Sequence, residues 1–522
     1  MITGKNYIGQ TGSSAGKQQL ISFNPATRAT HGEVFTTATT DEVSQAITLA
    51  TKAYKAYRQK SAASRAEFLR TIAENIMALD MELVNRAMAE TGLPEARIKG
   101  ERGRTCNQLK SFAAILEEGS WVNARIDTAI PDRSPAPKPD LRKMDMAVGP
   151  VAVFGASNFP LAYSTAGGDT ASALASGCPV IVKGHESHLG TNDLVTQAIL
   201  NAAEATNMPD GVFSMVNGGI AVGQQLVKDE GVKAVGFTGS LAGGRALMDS
   251  AAQRKTPIPV YAEMGSTNPI LFFPEKLQEQ TEELAETLAS SVTLGVGQFC
   301  TSPGLLIGIK SPALDKFKSV LAEKLRQSPS GVMLNEGIGQ SYVKNANRVQ
   351  TTASVEGSEL IETAGKPASV SVSATSFINN PTLHHEVFGP FTIIIECDDK
   401  NQMLAAVKAI DGQLTGSFMA TTQDMESNAD IIDALRERVG RIICNGVPTG
   451  VEVCPSMQHG GPYPASSNGR YTSVGRDAIT RFTRPVAFQS WPNQQLPDEL
   501  KDENPKGIWR LVNDQWTQSG IE

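Results

Sequence analysis

Cysteine is sparse in this chain and never paired. The six cysteines, Cys106, Cys178, Cys300, Cys397, Cys444 and Cys454, are scattered, and none forms Cys-x-x-Cys. That excludes a disulfide framework and fits a reduced cytoplasm. The six histidines do not stand at zinc spacing from the cysteines. The adjacent pair His384-His385 would face opposite ways on a strand, so no metal site is expected. No run approaches the roughly 20 apolar residues of a membrane span. Residues 1–20 are polar, without the apolar centre of a secretory signal. Basic residues are outnumbered, with Lys+Arg 47 against Asp+Glu 54 and a net charge of -7. A nucleic-acid ligand wants a basic face, so none is expected, and small-molecule chemistry stays open.

What the chain has is alternation. At 522 residues it is too long for one small core, and two or three domains are expected. Irregular strands at 7–9 and 20–25 precede a helical layer that starts with Thr40 as cap and continues over 63–79, 81–90 and 95–116. Residues 121–145 hold Pro131, Pro135, Pro137 and Pro139 and read as loop or edge strands. From 149 the pattern becomes strand, helix, strand. Strands are expected at 149–155, 179–183, 212–216, 232–237 and 258–263, with helices at 161–176, 189–205, 220–228 and 241–251. Such repetition implies a parallel doubly wound sheet with ligands at the carboxyl ends of its strands. A second alternating region spans 268–445. A long Gly/Pro loop, 446–468, and an apolar strand at 485–488 follow. Trp491, Trp509 and Trp516 in a polar tail suggest docking onto a neighbouring subunit. The fold class read from this is α/β, with two doubly wound domains.

The chemistry-bearing residues fall at turns. Cys300 lies between glycines in Gly295-Val296-Gly297-Gln298-Phe299-Cys300-Thr301-Ser302-Pro303-Gly304, just after an apolar helical run, where thiol and backbone N–H can face one reacting atom. Taken alone it reads as an inert thiol in a turn. Thr238, Gly239 and Ser240 sit in a glycine-rich turn between strand and helix, where free N–H groups can bind phosphate. That turn lacks the Gly-x-Gly-x-x-Gly spacing and the P-loop lysine. Lys183 and Glu186 at a strand end are either an ion pair or ligands of ribose hydroxyls. Asn158 is either a helix cap or an amide donor to an oxyanion, and Phe159 follows it. Glu263 ends a strand beside glycine, where a carboxylate can act as a general base. Glu386 could hold a sugar. On local grounds alone, the ordinary surface or loop-mouth carboxylate is the favoured reading for both.

Taken together, residues 155–160, Lys183, 237–240, Glu263-Met264-Gly265, 297–300 and 386–391 occur in the order seen in the aldehyde dehydrogenase superfamily, which the chain resembles over nearly its whole length. The resemblance implies a fold of two doubly wound α/β domains with a small β oligomerisation element. The dinucleotide-binding domain would take 1–125 and 149–262, the catalytic domain 263–468, and the oligomerisation elements and tail 126–148 and 469–522. It implies Cys300 as nucleophile, Asn158 and the Cys300 N–H as oxyanion hole, and Glu263 as base for the deacylating water. It further implies Lys183 and Glu186 at the adenosine ribose, and Thr238, Gly239 and Ser240 at the pyrophosphate. Glu386 and Phe388 would position the nicotinamide ribose and ring.

Ala156-Ser157, Lys183-Gly184-His185 and the stretch 459–466 are similar to the bacterial group that oxidises α-ketoglutaric semialdehyde (2,5-dioxopentanoate), a group shared with fatty-aldehyde dehydrogenases. The resemblance therefore implies oxidation of 2,5-dioxopentanoate to 2-oxoglutarate, with a medium- or long-chain fatty aldehyde as the alternative. Arg104 and Phe159 are the substrate candidates. A carboxylate at position 186 repels a 2′-phosphate, so NAD is expected to be preferred, not necessarily to the exclusion of NADP. A homodimer or homotetramer in the cytoplasm is expected, without membrane or nucleic acid. A rival of another class, a cofactor-independent cysteine hydrolase or acyltransferase, would need a histidine beside Cys300. No histidine is placed for that by spacing.

Overall fold

The computed structural model describes residues 1–352 and 360–521. Strand Val151–Phe154 is buried at every position. That is the mark of a parallel strand covered on both faces. It lies inside a seven-stranded sheet. The order is Val260–Glu263, Ala234–Thr238, Val151–Phe154, Val180–Lys183, Phe213–Val216, Asn6–Ile8 and Thr11–Ser13. The first five run parallel, and Asn6–Ile8 closes the far side antiparallel. Register aligns Phe154 with Lys183 and Phe237, and Thr238 with Glu263. The groups that follow these strands therefore gather along one carboxyl edge.

The second sheet has six parallel strands. Their order is Ala368–Ser373, Phe391–Cys397, Leu305–Ile309, Ile270–Phe272, Gln413–Met419 and Val439–Cys444. Helices Thr281–Thr293 and Pro312–Gln327 cover one face and Glu336–Gln350, Lys400–Ala409 and Ala429–Arg436 the other. Phe272 and Phe317 meet inside it with ring centroids 4.7 Å apart. Each such buried ring stabilises the fold by roughly 2–3 kcal/mol. Strand Val439–Cys444 has a neighbour on one side only.

A third, five-stranded sheet runs Thr483–Gln489, Leu141–Ala147, Arg125–Asp127, Arg510–Val512 and Gln515–Thr517. Leu141–Ala147 lies inside it, paired along its length with Thr483–Gln489. This corrects the expectation of edge strands: the prolines fall in the connection before this strand, leaving its N–H groups free to pair. The expected helix 161–176 also shortens, to Gly168–Ser176. Buried Glu101 accepts from the N–H groups of Leu161 (2.8 Å) and Ala162 (2.9 Å), which holds that segment in turns. The first helix is capped by Thr39 rather than Thr40. Thr39 Oγ1 accepts from the Glu42 N–H at 3.1 Å, and Glu42 accepts from the Thr39 N–H at 2.7 Å, a reciprocal capping box.

After Cys444 the chain leaves the second sheet and returns to the first. Met264 N–H donates to Ala465 O (2.8 Å) and Ser467 N–H to Ala262 O (2.9 Å). Glu263 and Ser466 form an antiparallel bridge.

Candidate active site

The turn before Cys300 takes a backbone that most residues avoid. Gly295, Val296 and Gly297 have φ of 56°, 60° and 63°. For the β-branched valine this left-handed backbone costs about 1–2 kcal/mol. A Cβ at Gly297 would stand 2.3 Å from the carbonyl carbon of Gly389, so only glycine lets this turn meet the loop carrying Glu386 and Phe388. Asn268 fastens the other side. Its Nδ2 donates to Cys300 O and Ser302 O, both at 2.9 Å. Its Oδ1 accepts from Ser266 Oγ (2.9 Å) and Thr415 Oγ1 (2.8 Å). The nucleophile turn is thus tied to the second sheet by a buried, hydrogen-bonded amide.

Cys300 Sγ lies 3.6 Å from His459 Nε2. The same nitrogen is 3.0 Å from Glu263 Oε1. His459 is 1% exposed and Glu263 4%, so the two interact in a medium poor in water. The returning loop holds both. His459 N–H donates to Thr472 Oγ1 at 2.9 Å, and Ser473 Oγ donates to Glu263 Oε2. Burial pushes the Cys300 thiol well above its ordinary value, and the charges of Glu263 and Glu386 push the same way while Arg104 opposes them. Glu263 moves down. Burial raises it, but the contact with the His459 ring and the hydrogen bond from the Ser473 hydroxyl outweigh this. The site therefore holds a neutral thiol beside a carboxylate and an imidazole able to take its proton.

Asn158 Nδ2 donates to Gln298 O at 2.9 Å, which brings the amide to the nucleophile turn. Phe159 packs edge-on against Phe299 (5.5 Å) and Tyr163 (5.2 Å).

A second group of candidates lies along the sheet edge. Ser240 caps helix Leu241–Ala252, its Oγ accepting from Gly243 N–H at 3.2 Å. Gly239 N–H donates to Glu263 O at 3.0 Å, linking this turn to the base. The Phe237 ring lies under the glycines, 2.7 Å from where a Gly239 Cβ would stand. Lys183 ends its strand, its ammonium pulled down by burial and up by the Glu186 charge. Glu186 Oε1 faces Gly219, 3.5 Å from where a Cβ would stand. Glu386 and Phe388 line a cavity with Gly297, Phe299 and Thr267. Burial raises the Glu386 carboxyl to about 7. An open helix start, a carboxylate and lysine at a strand end, and a half-buried carboxyl above an aromatic wall fit a dinucleotide.

The chain matches the aldehyde dehydrogenase family model over residues 12–487. It belongs to the aldehyde dehydrogenase family. It is 46% identical over 518 residues to alpha-ketoglutaric semialdehyde dehydrogenase 2 of Azospirillum brasilense, covering 98% of both chains. It is 44% identical to alpha-ketoglutaric semialdehyde dehydrogenase of Acinetobacter baylyi, covering 99% of both. Among solved structures, an apo betaine aldehyde dehydrogenase variant from Staphylococcus aureus superposes with a TM-score of 0.79 at 18% identity, covering 95% of this chain and 97% of that one. A 1-pyrroline-5-carboxylate dehydrogenase from Thermus with bound NAD gives 0.77 at 19% identity, covering 93% and 92%.

Enzymes of this family use NAD or NADP to oxidise aldehydes. In this aldehyde dehydrogenase Phe299, next to Cys300, belongs to an apolar cluster that arginines approach. Phe159, Tyr163, Phe299, Val451, Val453 and Met457 cluster there. Arg97 stacks 4.2 Å over Phe159 but is also paired with Glu101 at 3.2 Å. Arg104 Nη2 donates to Tyr163 OH at 3.2 Å. Arg441 Nη2 donates to Pro448 O (2.8 Å) and Gly450 O (3.1 Å). Burial lowers Arg441, while the Cys300 and Tyr163 groups act on it in the opposite sense. The Nε of each of these last two arginines is buried without a hydrogen-bond partner among the described residues.

Four of these residues escaped the sequence reading. His459 overturns the expectation that no histidine is placed beside Cys300. It stands in His459-Gly460-Gly461, a loop 159 residues away from the thiol, and spacing carries no trace of the pairing. Ser473 arrives on the same loop. Asn268 and Arg441 were unremarked positions at strand margins. Glu263, Cys300 and His459 also bring three possible ligand atoms within 4.8 Å of one another, a grouping that sequence spacing did not reveal.

Proposed function

We propose that this enzyme oxidises an aldehyde bearing a distal carboxylate, 2,5-dioxopentanoate, to 2-oxoglutarate. The observation that carries the substrate class is the pair Arg104 and Arg441, half-buried cations whose Nε groups are buried without a hydrogen-bond partner among the described residues and which interact electrostatically with Cys300. A guanidinium with an unpaired N–H at an apolar wall suits a carboxylate far better than an alkyl chain. The two relatives of 46% and 44% identity bear the name of that activity.

Catalysis then runs on this chain's own groups. His459 takes the thiol proton of Cys300 at Nε2. The thiolate attacks the carbonyl carbon, and the oxygen that gains charge is held by Asn158 Nδ2 and the Cys300 N–H. When bound, the dinucleotide supplies the hydride acceptor that lets this adduct become a thioester. Glu263, held by Ser473, then takes a proton from water as the water attacks the thioester. The acid departs, Glu263 gives its proton up to solvent, and the proton on His459 returns to the sulfur.

Lys183 and Glu186 would hold the adenosine ribose, with Thr238, Gly239 and Ser240 at the pyrophosphate and Glu386 and Phe388 at the nicotinamide end. Glu186 beside Gly219 supports NAD over NADP. The reading also includes a cytoplasmic homodimer or homotetramer. A parallel edge strand such as Val439–Cys444 is ordinarily covered, and Thr483–Gln489 is a free edge able to cover it in a second copy. Light scattering on the purified protein tests the subunit number.

The deciding experiment is a steady-state comparison of 2,5-dioxopentanoate with a medium-chain fatty aldehyde. A kcat/KM at least 100-fold higher for the dioxo acid is expected. Preference for the alkyl aldehyde would overturn the substrate while leaving the Cys300 chemistry in place.

A further inference from the structure

The resting site has the makings of a metal trap. Cys300 Sγ and His459 Nε2 are 3.6 Å apart. Around a tetrahedral zinc ion, with bonds of about 2.3 Å to sulfur and about 2.0 Å to nitrogen, those atoms would stand about 3.5 Å apart. Glu263 Oε1 is 3.0 Å from the same nitrogen, close to the roughly 3.3 Å that two bonds of about 2.0 Å would set, while its separation from the sulfur, within 4.8 Å, closes by rotation of the carboxylate. The three atoms converge within 4.8 Å, the one such group of His, Cys, Asp and Glu among the described residues.

A second observation points the same way. Glu263 is 4% exposed, and its Oε2 is engaged by Ser473. Oε1 is buried with no aligned hydrogen bond among the described residues. A buried carboxylate oxygen without a linear donor keeps a lone pair free to meet a cation.

We propose that the free enzyme binds one thiophilic divalent cation of the zinc class on Cys300 Sγ, His459 Nε2 and Glu263 Oε1, and that bound metal blocks turnover. On binding, the S–H proton is released to solvent and a sulfur–metal bond forms, with no change of oxidation state. One thiolate and one carboxylate neutralise the 2+ charge, which favours binding where water is scarce. A mixed S, N, O set selects zinc, cobalt(II) or cadmium and discriminates against magnesium and calcium, which want oxygen alone. The partly exposed side of Cys300 leaves the fourth position to water. The metal takes the sulfur lone pair that attacks the aldehyde and the oxygen that activates water, so inhibition is competitive with aldehyde.

The test uses cobalt(II) as a spectroscopic probe on chelator-treated enzyme without substrate. One equivalent per chain should give the intense visible bands of tetrahedral cobalt with a thiolate charge-transfer band, and zinc should displace them. The variant His459→Ala should weaken cobalt binding beyond the roughly 10–100-fold typical of outer-shell changes. Cys444→Ser, at an exposed thiol, should leave it unchanged. In unaltered enzyme, zinc should slow iodoacetamide alkylation of Cys300 at least tenfold, read by mass spectrometry, so the proposal stays testable if the variant misfolds. Octahedral cobalt spectra, bands unchanged in His459→Ala, or alkylation indifferent to zinc would each overturn it. Dehydrogenase activity in excess chelator is assayed separately, so failure of the metal proposal and failure of the substrate reading remain distinguishable.

Discussion

Replacing His459 by asparagine should cost the thiol its proton acceptor and its screen from Glu263. In the native site the imidazole touches both groups, at 3.6 Å from sulfur and 3.0 Å from the carboxylate oxygen. Without it, a thiolate must form facing a carboxylate whose oxygen lies within 4.8 Å of the sulfur. Two like charges at that separation repel by about 3.5 kcal/mol at an effective dielectric constant near 20. That corresponds to a loss of about 300-fold in rate, inside the 10²–10⁴ range usual for a lost general base. Two assays separate the effect from misfolding. Iodoacetamide alkylation without substrate should slow, and its pH midpoint should rise by about two units. Stopped-flow measurement should show NADH formation in the first turnover slowed about as much as kcat/KM. An unchanged alkylation profile and a kcat/KM within threefold of the native enzyme would refute the role given to His459.

Arg104→Ala and Arg441→Ala should each raise KM for 2,5-dioxopentanoate about 10–100-fold, the worth of a charge-assisted hydrogen bond, and change it less than threefold for a neutral aldehyde. Glu186→Gln should raise kcat/KM with NADP at least tenfold, since a like charge about 4 Å from a phosphate costs about 1–4 kcal/mol. Glu386, raised to about 7 by burial, should make NAD bind more weakly below that pH, because the protonated acid loses acceptor capacity for ribose hydroxyls. The stability it contributes is present below its ordinary pKa of 4.5 and is lost as pH rises through about 7. Glu386→Gln should therefore raise the Tm relative to native at pH 8 but not at pH 4.5.

The alternation of strands and helices was legible because apolar runs such as Val151-Ala152-Val153-Phe154 are buried on both faces and advertise a parallel sheet. The sheet edge that gathers Lys183, Thr238 and Glu263 follows from that alternation, and their order along the chain carried the family resemblance. Strand Ala368–Ser373 was not legible. Its sequence, Ala-Ser-Val-Ser-Val-Ser, is half serine and reads as loop until the neighbouring strand supplies its hydrogen bonds. The shortened helix at Gly168–Ser176 depends on Glu101, 60 residues from Leu161. His459 was hidden for a similar reason. Its partners, Cys300 and Glu263, are brought to it by a loop returning across two sheets, and no local pattern encodes where a returning loop lands. Arg441 sits on an edge strand, where a charged residue ordinarily serves solubility.

The loop that leaves the second sheet and comes back to the first has a consequence for the order in which the protein is made. Ribosomes deliver the chain from its amino end, and segments pack as they emerge. Cys300 emerges well before His459, and Ser473, which grips the base, emerges later still. Until this late segment docks, the sulfur has no imidazole beside it and the carboxylate no hydroxyl to orient it. The nascent enzyme carries an unarmed thiol through its synthesis, and reactivity switches on only when nearly the whole chain is in place.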